Sequence, residues 1–309
     1  MLFSFPTRLN VNSRILSNFS FAPNRNNLNA PLKCLGLGLR YMSIAPEVKG
    51  EAFLEAVSEY PGITCLALNR PKSKNAISVN LLKELGECLD SVQFDNTTRV
   101  LIVKSTSPDA FCAGADLIER RSMSQTQVNR FLSDLRAALG KLENLPMPTI
   151  AAIDGPALGG GLELGLACDL RVAARSVTKI GLPETSLGII PGAGGTQRAA
   201  RVLGISKAKD LIFTARMLPS SEALEWGLID YVSETTAYER SIELAEKVAR
   251  NAPLALRAAK RAISRSEDLP LEAGLDFERI SYETLLPTKD RIEALNAFKE
   301  KRRPQFKGE

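Results

Sequence analysis

Two carboxylates stand in apolar, glycine-rich surroundings. In "GPALGGGLELGLACD" (155–169), three glycines open a predicted helix and Glu163 follows them in its first turn. In "KIGLPETSLGIIPGAGGTQR" (179–198), Glu184 follows Pro183 in a loop that carries no other charge. Such a pair can position a water molecule and move its protons, which contributes about 10²–10⁴-fold to a rate, and burial would raise both pKa values. The alternative is a helix-dipole partner for Glu163 and a surface acid for Glu184.

Two glycine-containing segments could supply backbone donors to an oxyanion. A helix N-terminus presents unpaired N–H groups, and the glycines at 159–161 would let another molecule approach them closely. The segment "DAFCAGADL" (109–117) is equally small and follows a predicted strand. One amide from each loop can converge on one oxygen, and each such donor is worth about 10²–10³-fold in rate. The simpler interpretation of the glycines is a tight turn from strand to helix.

Composition excludes several kinds of chemistry. The chain contains no histidine, which rules out Ser-His-Asp and Cys-His catalysis and the common zinc sites. Its five cysteines have no Cys-x-x-Cys spacing, so no disulfide framework is predicted. The segment "GAGGTQR" (192–198) lacks the pattern of a phosphate-binding loop. Proton transfer therefore falls to Asp, Glu, Lys, Tyr or Cys, and no metal site is expected.

The elements that must position these residues alternate between strand and helix. Strands are predicted at 62–71, 99–106, 149–155 and 169–175, and helices at 79–92, at 126–145 and after the three glycines. From about Ser206 the strand signals stop and only helical patterns follow. This order predicts an α/β core with a helical C-terminal third. No segment reaches the ~18–20 apolar residues of a membrane span.

The first 42 residues differ from the rest in composition. They hold five basic residues and no acid, since the first acidic residue is Glu47. This is typical of an organelle transit peptide, here interpreted as mitochondrial, with processing near Arg40–Ser43; a plastid signal and a basic tail that stays attached are the alternatives. The whole chain has 40 basic and 35 acidic residues, and without this segment the numbers are 35 and 35. The excess positive charge therefore does not indicate a nucleic-acid surface.

The motifs "AFCAGADL", "GPALGGGLELGLACDLRVAA" and "GLPETSLGIIPGAGGTQR" together resemble the enoyl-CoA hydratase/isomerase (crotonase) superfamily. The resemblance runs from about Gly62 to the C-terminus and implies an α/β crotonase-type spiral of ββα turns. It implies that the amides of Ala115 and Gly160 form an oxyanion hole for a thioester carbonyl. Glu163 and Glu184 then hold the water, the first activating it and the second delivering a proton to C2. The further substrate contacts implied are Ala76, Asp116 and Leu117.

The resemblance also implies how the chain is organised and what it binds. A transit peptide at 1–42 precedes a crotonase core at 43–250 and a helical oligomerisation region at 251–309. The substrate is an acyl-CoA thioester, with CoA as part of the substrate and no separate cofactor or metal. Lys299 and Lys301 are candidates for contact with the CoA phosphates, and the assembly expected is a homotrimer or hexamer in the mitochondrial matrix.

Having both acids favours a hydratase, a lyase that converts 2-enoyl-CoA to 3-hydroxyacyl-CoA, because members that only move a double bond often lack the acid at Glu163. The segment "PTKDRIEALNAFKEKRRPQFKGE" resembles the branch of methylglutaconyl-CoA hydratases, whose substrate needs a cation near its distal carboxylate. Some of that branch bind RNA through lysines spaced four apart. The matching positions here are Val79, Lys83 and Glu87, of which one is basic. We therefore do not expect nucleic-acid binding.

Overall fold

The computed structural model describes residues 50–107 and 109–309. The predicted transit peptide and its processing point lie outside the described residues. The strands of the described part are Ala52–Ala56 (β1), Ile63–Leu68 (β2), Val100–Ser105 (β3), Thr149–Ile153 (β4), Ala157–Leu158 (β5), Leu170–Ala174 (β6), Ile180–Gly181 (β7), Met217–Leu218 (β8) and Tyr231–Ser233 (β9).

The α-helices of the same part follow the strands and then dominate the C-terminal region. They are Val79–Gln93 (α1), Leu117–Arg121 (α2), Gln125–Glu143 (α3), Gly160–Leu166 (α4), Gly195–Leu203 (α5), Ile205–Phe213 (α6), Ser220–Trp226 (α7), Ala237–Ala249 (α8), Pro253–Arg265 (α9), Leu271–Glu283 (α10) and Lys289–Lys299 (α11). Short 3₁₀ turns cover Pro71–Ser73 and Pro183–Leu187.

The main sheet has six strands in the order β1-β2-β3-β4-β6-β9. β1 is antiparallel to β2, and the other neighbours are parallel. Every residue of β4, Thr149–Ile153, is buried, as expected for a parallel strand covered on both faces. α8 packs against β2, β3, β4 and β6, and Asp154 holds its first turn by accepting hydrogen bonds from the amides of Ala237 (2.5 Å) and Tyr238 (3.1 Å).

A second, three-stranded sheet in the order β5-β7-β8 brings the two glutamate-bearing segments together. β5 runs directly into α4, and β7 runs into the 3₁₀ turn Pro183–Leu187. The pairing continues past the strands, because the amide of Gly159 donates to the carbonyl of Gly181 at 3.0 Å. Parallel neighbours end at the same edge of a sheet, so the helix and the turn begin side by side.

The α/β prediction is confirmed, and each strand predicted before residue 176 is found with slightly tighter bounds. The expectation that strands stop near Ser206 was wrong, because β8 and β9 lie beyond it. β9 pairs with β6 in the register Val172↔Tyr231 and forms the edge of the main sheet. Strands of two or three residues are too short to show a period of two, so tertiary pairing alone defines them. β1 was likewise not predicted.

The C-terminal helices carry apolar side chains that are exposed at the surface of the described part of the chain. Leu271 in α10 is 75% exposed and Phe298 in α11 is 87% exposed. Others on the same helices with exposed side chains are Leu275, Ile280, Tyr282, Ile292 and Leu295. We call these seven exposed side chains together the apolar face of α10 and α11, since exposed apolar residues in this number mark a surface for association. The domain boundary at residue 250 stays a prediction.

Candidate active site

Glu163 lies in the first turn of α4 and is held from one side. Its side chain is 2% exposed, and its Oε1 accepts hydrogen bonds from the backbone N–H groups of Ala193 (2.8 Å) and Gly195 (2.7 Å). Burial raises the pKa of Glu163, while these amides and the positive charge of Arg198 act in the opposite direction. The two bonds fix one carboxylate oxygen and leave the other to act on a ligand.

Glycine is required where α4 crosses the preceding loop. A Cβ on Gly161 would overlap the carbonyl oxygen of Cys112 and lie 2.7 Å from its carbonyl carbon. Gly114 has φ +92°, and a Cβ there would lie 2.8 Å from the carbonyl oxygen of Leu158. The glycines therefore allow the two loops to touch through their backbones. A tight turn from strand to helix, the simpler interpretation, does not account for this contact.

Glu184 lies in the 3₁₀ turn Pro183–Leu187, and its Oε1 would lie 3.0 Å from a Cβ placed on Gly159, the residue that precedes α4. It is 9% exposed, and within the described residues its Oε2 has no hydrogen-bond partner. Burial raises its pKa to about 7, and the negative charge of Glu163 adds to the rise. A buried carboxyl oxygen without a partner is costly in a folded protein. Glu184 therefore has a proton to give near neutral pH and an oxygen still free to bind a ligand.

Two amides meet where the loops touch. Ile77 donates to the carbonyl of Gly114 (2.7 Å) and accepts from the amide of Asp116 (3.0 Å), so the intervening N–H of Ala115 faces away from Ile77. Gly160 is the first residue of α4, and the N–H groups of a first helical turn have no intrahelical acceptor. A Cβ on Gly160 would lie 3.6 Å from the nitrogen of Ala115, which places the two backbones side by side.

One cavity of about 540 Å³ contains all four of these residues in its lining. Its charged lining side chains are Glu163, Glu184 and Arg120, and the rest of the lining consists of glycine, alanine, proline, leucine and isoleucine. An apolar cavity with few convergent polar groups is typical of a small-molecule site. Two amides and two buried carboxylates that line one cavity can bind a carbonyl oxygen and exchange protons beside it.

The remaining residues predicted to contact substrate are placed differently. Leu117 lines the cavity, whereas Ala76 and Asp116 do not. Ala76 offers its carbonyl to Arg70 at 2.7 Å. Asp116 caps α2 and pairs with Arg70 at 2.8 Å; burial opposes its ionisation, but the bonds from Arg70 and the α2 amides keep its pKa below the usual value. Contact between these residues and substrate stays a prediction.

Sequence reasoning missed four residues that contribute to the site. The amides of Ala193 and Gly195 come from "GAGG", which was weighed as a phosphate loop and as part of a family motif, not as a donor to Glu163. Arg198 donates to the carbonyl of Ala193 at 2.9 Å and pairs with Glu143 at 2.7 Å. Arg120 sits in the cavity wall, three residues after Leu117, the last residue of "AFCAGADL". The spacing of Arg120 after Asp116, one helical turn, was the available signal.

Comparison with known proteins identifies the family to which this chain is similar. The enoyl-CoA hydratase/isomerase family model matches residues 58–309. The mitochondrial methylglutaconyl-CoA hydratase of Homo sapiens is 50% identical over 256 residues, covering 81% of this chain and 75% of that protein. The probable mitochondrial enoyl-CoA hydratase 2 of Arabidopsis thaliana is 47% identical over 248 residues, covering 80% and 82%. An enoyl-CoA isomerase/hydratase of Mycosarcoma maydis is 52% identical over 268 residues, covering 83% and 97%.

Solved structures agree with the sequence relatives. The crystal structure of enoyl-CoA hydratase from Bacillus anthracis superimposes with a TM-score of 0.81 at 46% identity, covering 84% of this chain and 100% of that one. The fold and the cavity thus define an α/β protein with a small-molecule site lined by two backbone amides and two carboxylates. The chain belongs to the enoyl-CoA hydratase/isomerase family. The predicted family, fold class and enzyme class are confirmed.

Proposed function

We propose that this protein adds water across the 2,3 double bond of 2-enoyl-CoA thioesters to give 3-hydroxyacyl-CoA. The observation that carries the proposal is that two backbone amides and two buried carboxylates line one apolar cavity. Members of the family that need only one acid move a double bond, whereas hydration uses a base for the water and an acid for C2. The different surroundings of Glu163 and Glu184 support this division of roles.

The amides of Ala115 and Gly160 bind the thioester oxygen. When hydroxide adds at C3, the electrons of the double bond move toward the carbonyl and the oxygen becomes enolate-like. Donors that are fixed by the backbone need no rearrangement as this charge develops. The partial positive charge at the start of α4 acts in the same direction.

Glu163 acts as the base. Its Oε1 is occupied by two backbone amides, so Oε2 accepts the proton of the attacking water. The O–H bond of the water breaks as the new C3–O bond forms. Those two amides favour the ionised form, which a base requires before the reaction starts.

Glu184 acts as the acid. With a pKa raised to about 7 by burial, a large fraction of the side chain carries a proton near neutral pH. It delivers that proton to C2 as the enolate collapses to the product thioester. Afterwards Glu163 is protonated and Glu184 ionised, and exchange with water restores both for the next cycle.

The hydration needs no redox step, and CoA enters as part of the substrate. Among residues 50–107 and 109–309, no group of three or more His, Cys, Asp or Glu side chains could hold a metal ion. In the same residues no helix is long and apolar enough to cross a membrane. The absence of a cofactor stays a prediction.

A second candidate is hydration of methylglutaconyl-CoA. The observation that favours it is the 50% identity with proteins of that name from human, mouse and rat. It differs from the first candidate only in the acyl group, since the amides and the carboxylates would act in the same way.

The curated relatives from human and Arabidopsis carry the word mitochondrial in their names, which supports a mitochondrial location for this protein and a transit peptide at 1–42.

Self-association is supported by the apolar face of α10 and α11, which includes Leu271 and Phe298. A homotrimer or hexamer would bury it.

RNA binding receives no such support: Val79, Lys83 and Glu87 lie on α1, and Lys83 pairs with Glu87 at 3.7 Å. A salt-dependent RNA affinity in a filter-binding titration would contradict this expectation.

The experiment that tests the proposal follows the loss of the conjugated thioester absorbance of crotonyl-CoA. The wild-type protein should consume the substrate and release 3-hydroxybutyryl-CoA, identified by mass. Glu163→Gln and Glu184→Gln should each lower kcat by about 10²–10⁴-fold, while Glu225→Gln, which removes an exposed carboxylate, should not. Full activity in both site variants, or a shifted double bond instead of a hydrated product, would contradict the proposal.

A further inference from the structure

A buried asparagine outside the cavity lining connects three segments of the chain. Asn75 is fully buried. Its Nδ2 donates to the carbonyl of Phe111 at 3.0 Å and to Oγ of Ser105, at the end of β3, at 2.7 Å. Its Oδ1 accepts from the amide of Arg70 at 2.7 Å. Both polar atoms of the side chain are therefore bonded, as a buried amide requires.

The main chain at Asn75 makes the next contacts along residues 111–116, here called the oxyanion loop. The carbonyl of Asn75 accepts from Sγ of Cys112 at 3.0 Å. The carbonyl of Lys74 accepts from the amide of Ala113 at 3.0 Å. Three consecutive residues of the oxyanion loop are thus bonded to two consecutive residues of one turn. These bonds stop two residues before the amide that is proposed to bind the thioester oxygen.

Both residues of this turn have a left-handed backbone. The angle φ is 51° at Lys74 and 52° at Asn75. Residues other than glycine rarely adopt a positive φ, and asparagine tolerates it better than most. Such conformations persist only where the surrounding contacts hold them, and they concentrate at functional sites. Here the contacts that hold the turn are the same contacts that hold the oxyanion loop.

The oxyanion loop depends on these individual bonds for its position. None of residues 111–116 belongs to a helix or a strand of the described chain, so no regular ladder fixes them. The loop also touches the segment of the second donor, because the amide of Leu158 donates to the carbonyl of Cys112 at 3.0 Å. A displacement at Cys112 therefore changes the spacing between the N–H groups of Ala115 and Gly160.

We propose that Asn75 is a positioning residue of the oxyanion hole, which sets where the oxyanion loop presents the N–H of Ala115 beside that of Gly160. The proposal rests on the proposed function, because it takes these two amides as donors to the thioester oxygen. Asn75 acts through the backbone of the loop and not on the substrate. An oxyanion donor acts at about 2.7–3.1 Å, so a displaced amide stabilises the developing charge less, and a loss of this kind lowers kcat more than it changes substrate binding.

The kinetic test uses Asn75→Gly, because glycine accepts a φ of 52° and only the side chain is removed. For crotonyl-CoA, kcat should fall about 10–100-fold with a smaller change in KM, since a displaced donor costs less than the about 10²–10³-fold of a lost one. Asn251→Gly removes an exposed amide bonded to the carbonyl of Lys247 and should leave both constants unchanged. An unchanged kcat in Asn75→Gly, or a loss confined to KM, would overturn the proposal.

An infrared spectrum of a bound thioester separates positioning from support of the fold. Butyryl-CoA labelled with carbon-13 at its carbonyl carbon has no double bond to hydrate, and hydrogen bonds to the carbonyl oxygen lower its stretching frequency. Wild-type protein in excess should lower this frequency, and Asn75→Gly should lower it less. Equal shifts in the two proteins, or no shift in wild-type protein, would overturn the proposal. If wild-type protein does not hydrate crotonyl-CoA but the shift depends on Asn75, the hydration is wrong and the positioning role stands.

Two variants of Cys112 test the same contact from the loop side and serve if Asn75→Gly does not fold. Cys112→Ala removes the Sγ donor to the carbonyl of Asn75, whereas Cys112→Ser keeps a hydroxyl donor at that position. Cys112→Ala should lower kcat and reduce the carbonyl shift, and Cys112→Ser should restore part of both. Equal values in these two variants would overturn the proposal.

Discussion

The N–H of Ala193 donates to Oε1 of Glu163 at 2.8 Å, across thirty positions of the chain. The carbonyl of the same Ala193 accepts a 2.9 Å bond from Arg198, whose guanidinium is tied to Glu143 at the end of α3. The loop at Ala193 is therefore fixed by the guanidinium of Arg198 through its carbonyl, and it fixes the carboxylate of Glu163 through its N–H. The orientation of Glu163 depends on how firmly this loop is fixed.

Replacing Arg198 with methionine should lower kcat and change the pH profile. The loop at Ala193 loses a charged hydrogen bond, for which we expect about a tenfold loss of kcat. The positive charge of Arg198 lowers the pKa of Glu163, so its removal raises that pKa. The acid limb of kcat against pH should therefore move to higher pH, which steady-state hydration of crotonyl-CoA can measure.

The matched control is Arg201→Met, on the same helix. Arg201 pairs with Glu267 at 3.0 Å on the exposed side of α5 and does not line the cavity. Both the rate and the acid limb should stay where the wild-type protein has them. A loss of kcat in Arg198→Met with an unmoved acid limb would mean that Arg198 supports the fold and not the ionisation of Glu163.

Gly161→Ala should destabilise the protein and disturb the oxyanion donors together. A Cβ at this position overlaps the carbonyl group of Cys112, and backbone atoms cannot move aside as a flexible side chain can. Overpacking of this kind costs about 1–3 kcal/mol or more in the free energy of unfolding. Chemical denaturation and kcat for crotonyl-CoA measure the two effects.

Gly165→Ala in the same helix is the comparison. Its Cβ would meet Cδ1 of Ile153 at 3.7 Å, an ordinary contact. Because alanine favours helix over glycine by about 1 kcal/mol, this variant should be as stable as the wild-type protein or more so. Equal behaviour of the two variants would show that the close approach of Gly161 and Cys112 is unimportant.

The rate should fall as pH rises through about 7. Glu184 must carry a proton to act as the acid, and burial places its pKa at about 7. Glu163 must be ionised, and burial raises its pKa above the usual 4.5, so activity should also fall on the acid side. Measurement of kcat/KM for crotonyl-CoA from about pH 5 to 9 should give a bell-shaped curve. A flat alkaline limb would remove Glu184 from the acid role.

The same raised pKa predicts a pH-dependent stability difference between wild-type protein and Glu184→Gln. The folded pKa of about 7 exceeds the usual 4.5, so the contribution of Glu184 is fully favourable below about pH 4.5 and is lost as pH rises through about 7. Glutamine does not ionise, so the Glu184→Gln variant loses no stability at this position over the same pH range. Relative to wild type, Glu184→Gln should gain up to about 3 kcal/mol between about pH 4.5 and 8, measured by urea unfolding at one protein concentration. Glu225→Gln should show no comparable gain.

Much of the fold and of the candidate site could be predicted from the sequence alone, because the signals for them are local. Alternating apolar runs predicted the α/β core, and glycines before Glu163 predicted backbone donors at a helix start. The missing histidine left the acid–base chemistry to Asp, Glu, Lys, Tyr or Cys. None of these inferences requires knowledge of which distant residues meet.

Tertiary structure decided what depends on contacts between distant segments. The pairing of β9 with β6, the amide of Ala193 on Glu163, and the entry of Arg120 into the cavity wall each join parts of the chain that no local pattern connects. The pKa of Glu184 was decided in the same way, because the desolvation that raises it comes from the segments that fold around it. Local sequence specifies which groups are present, and only packing sets their solvent exposure and their partners.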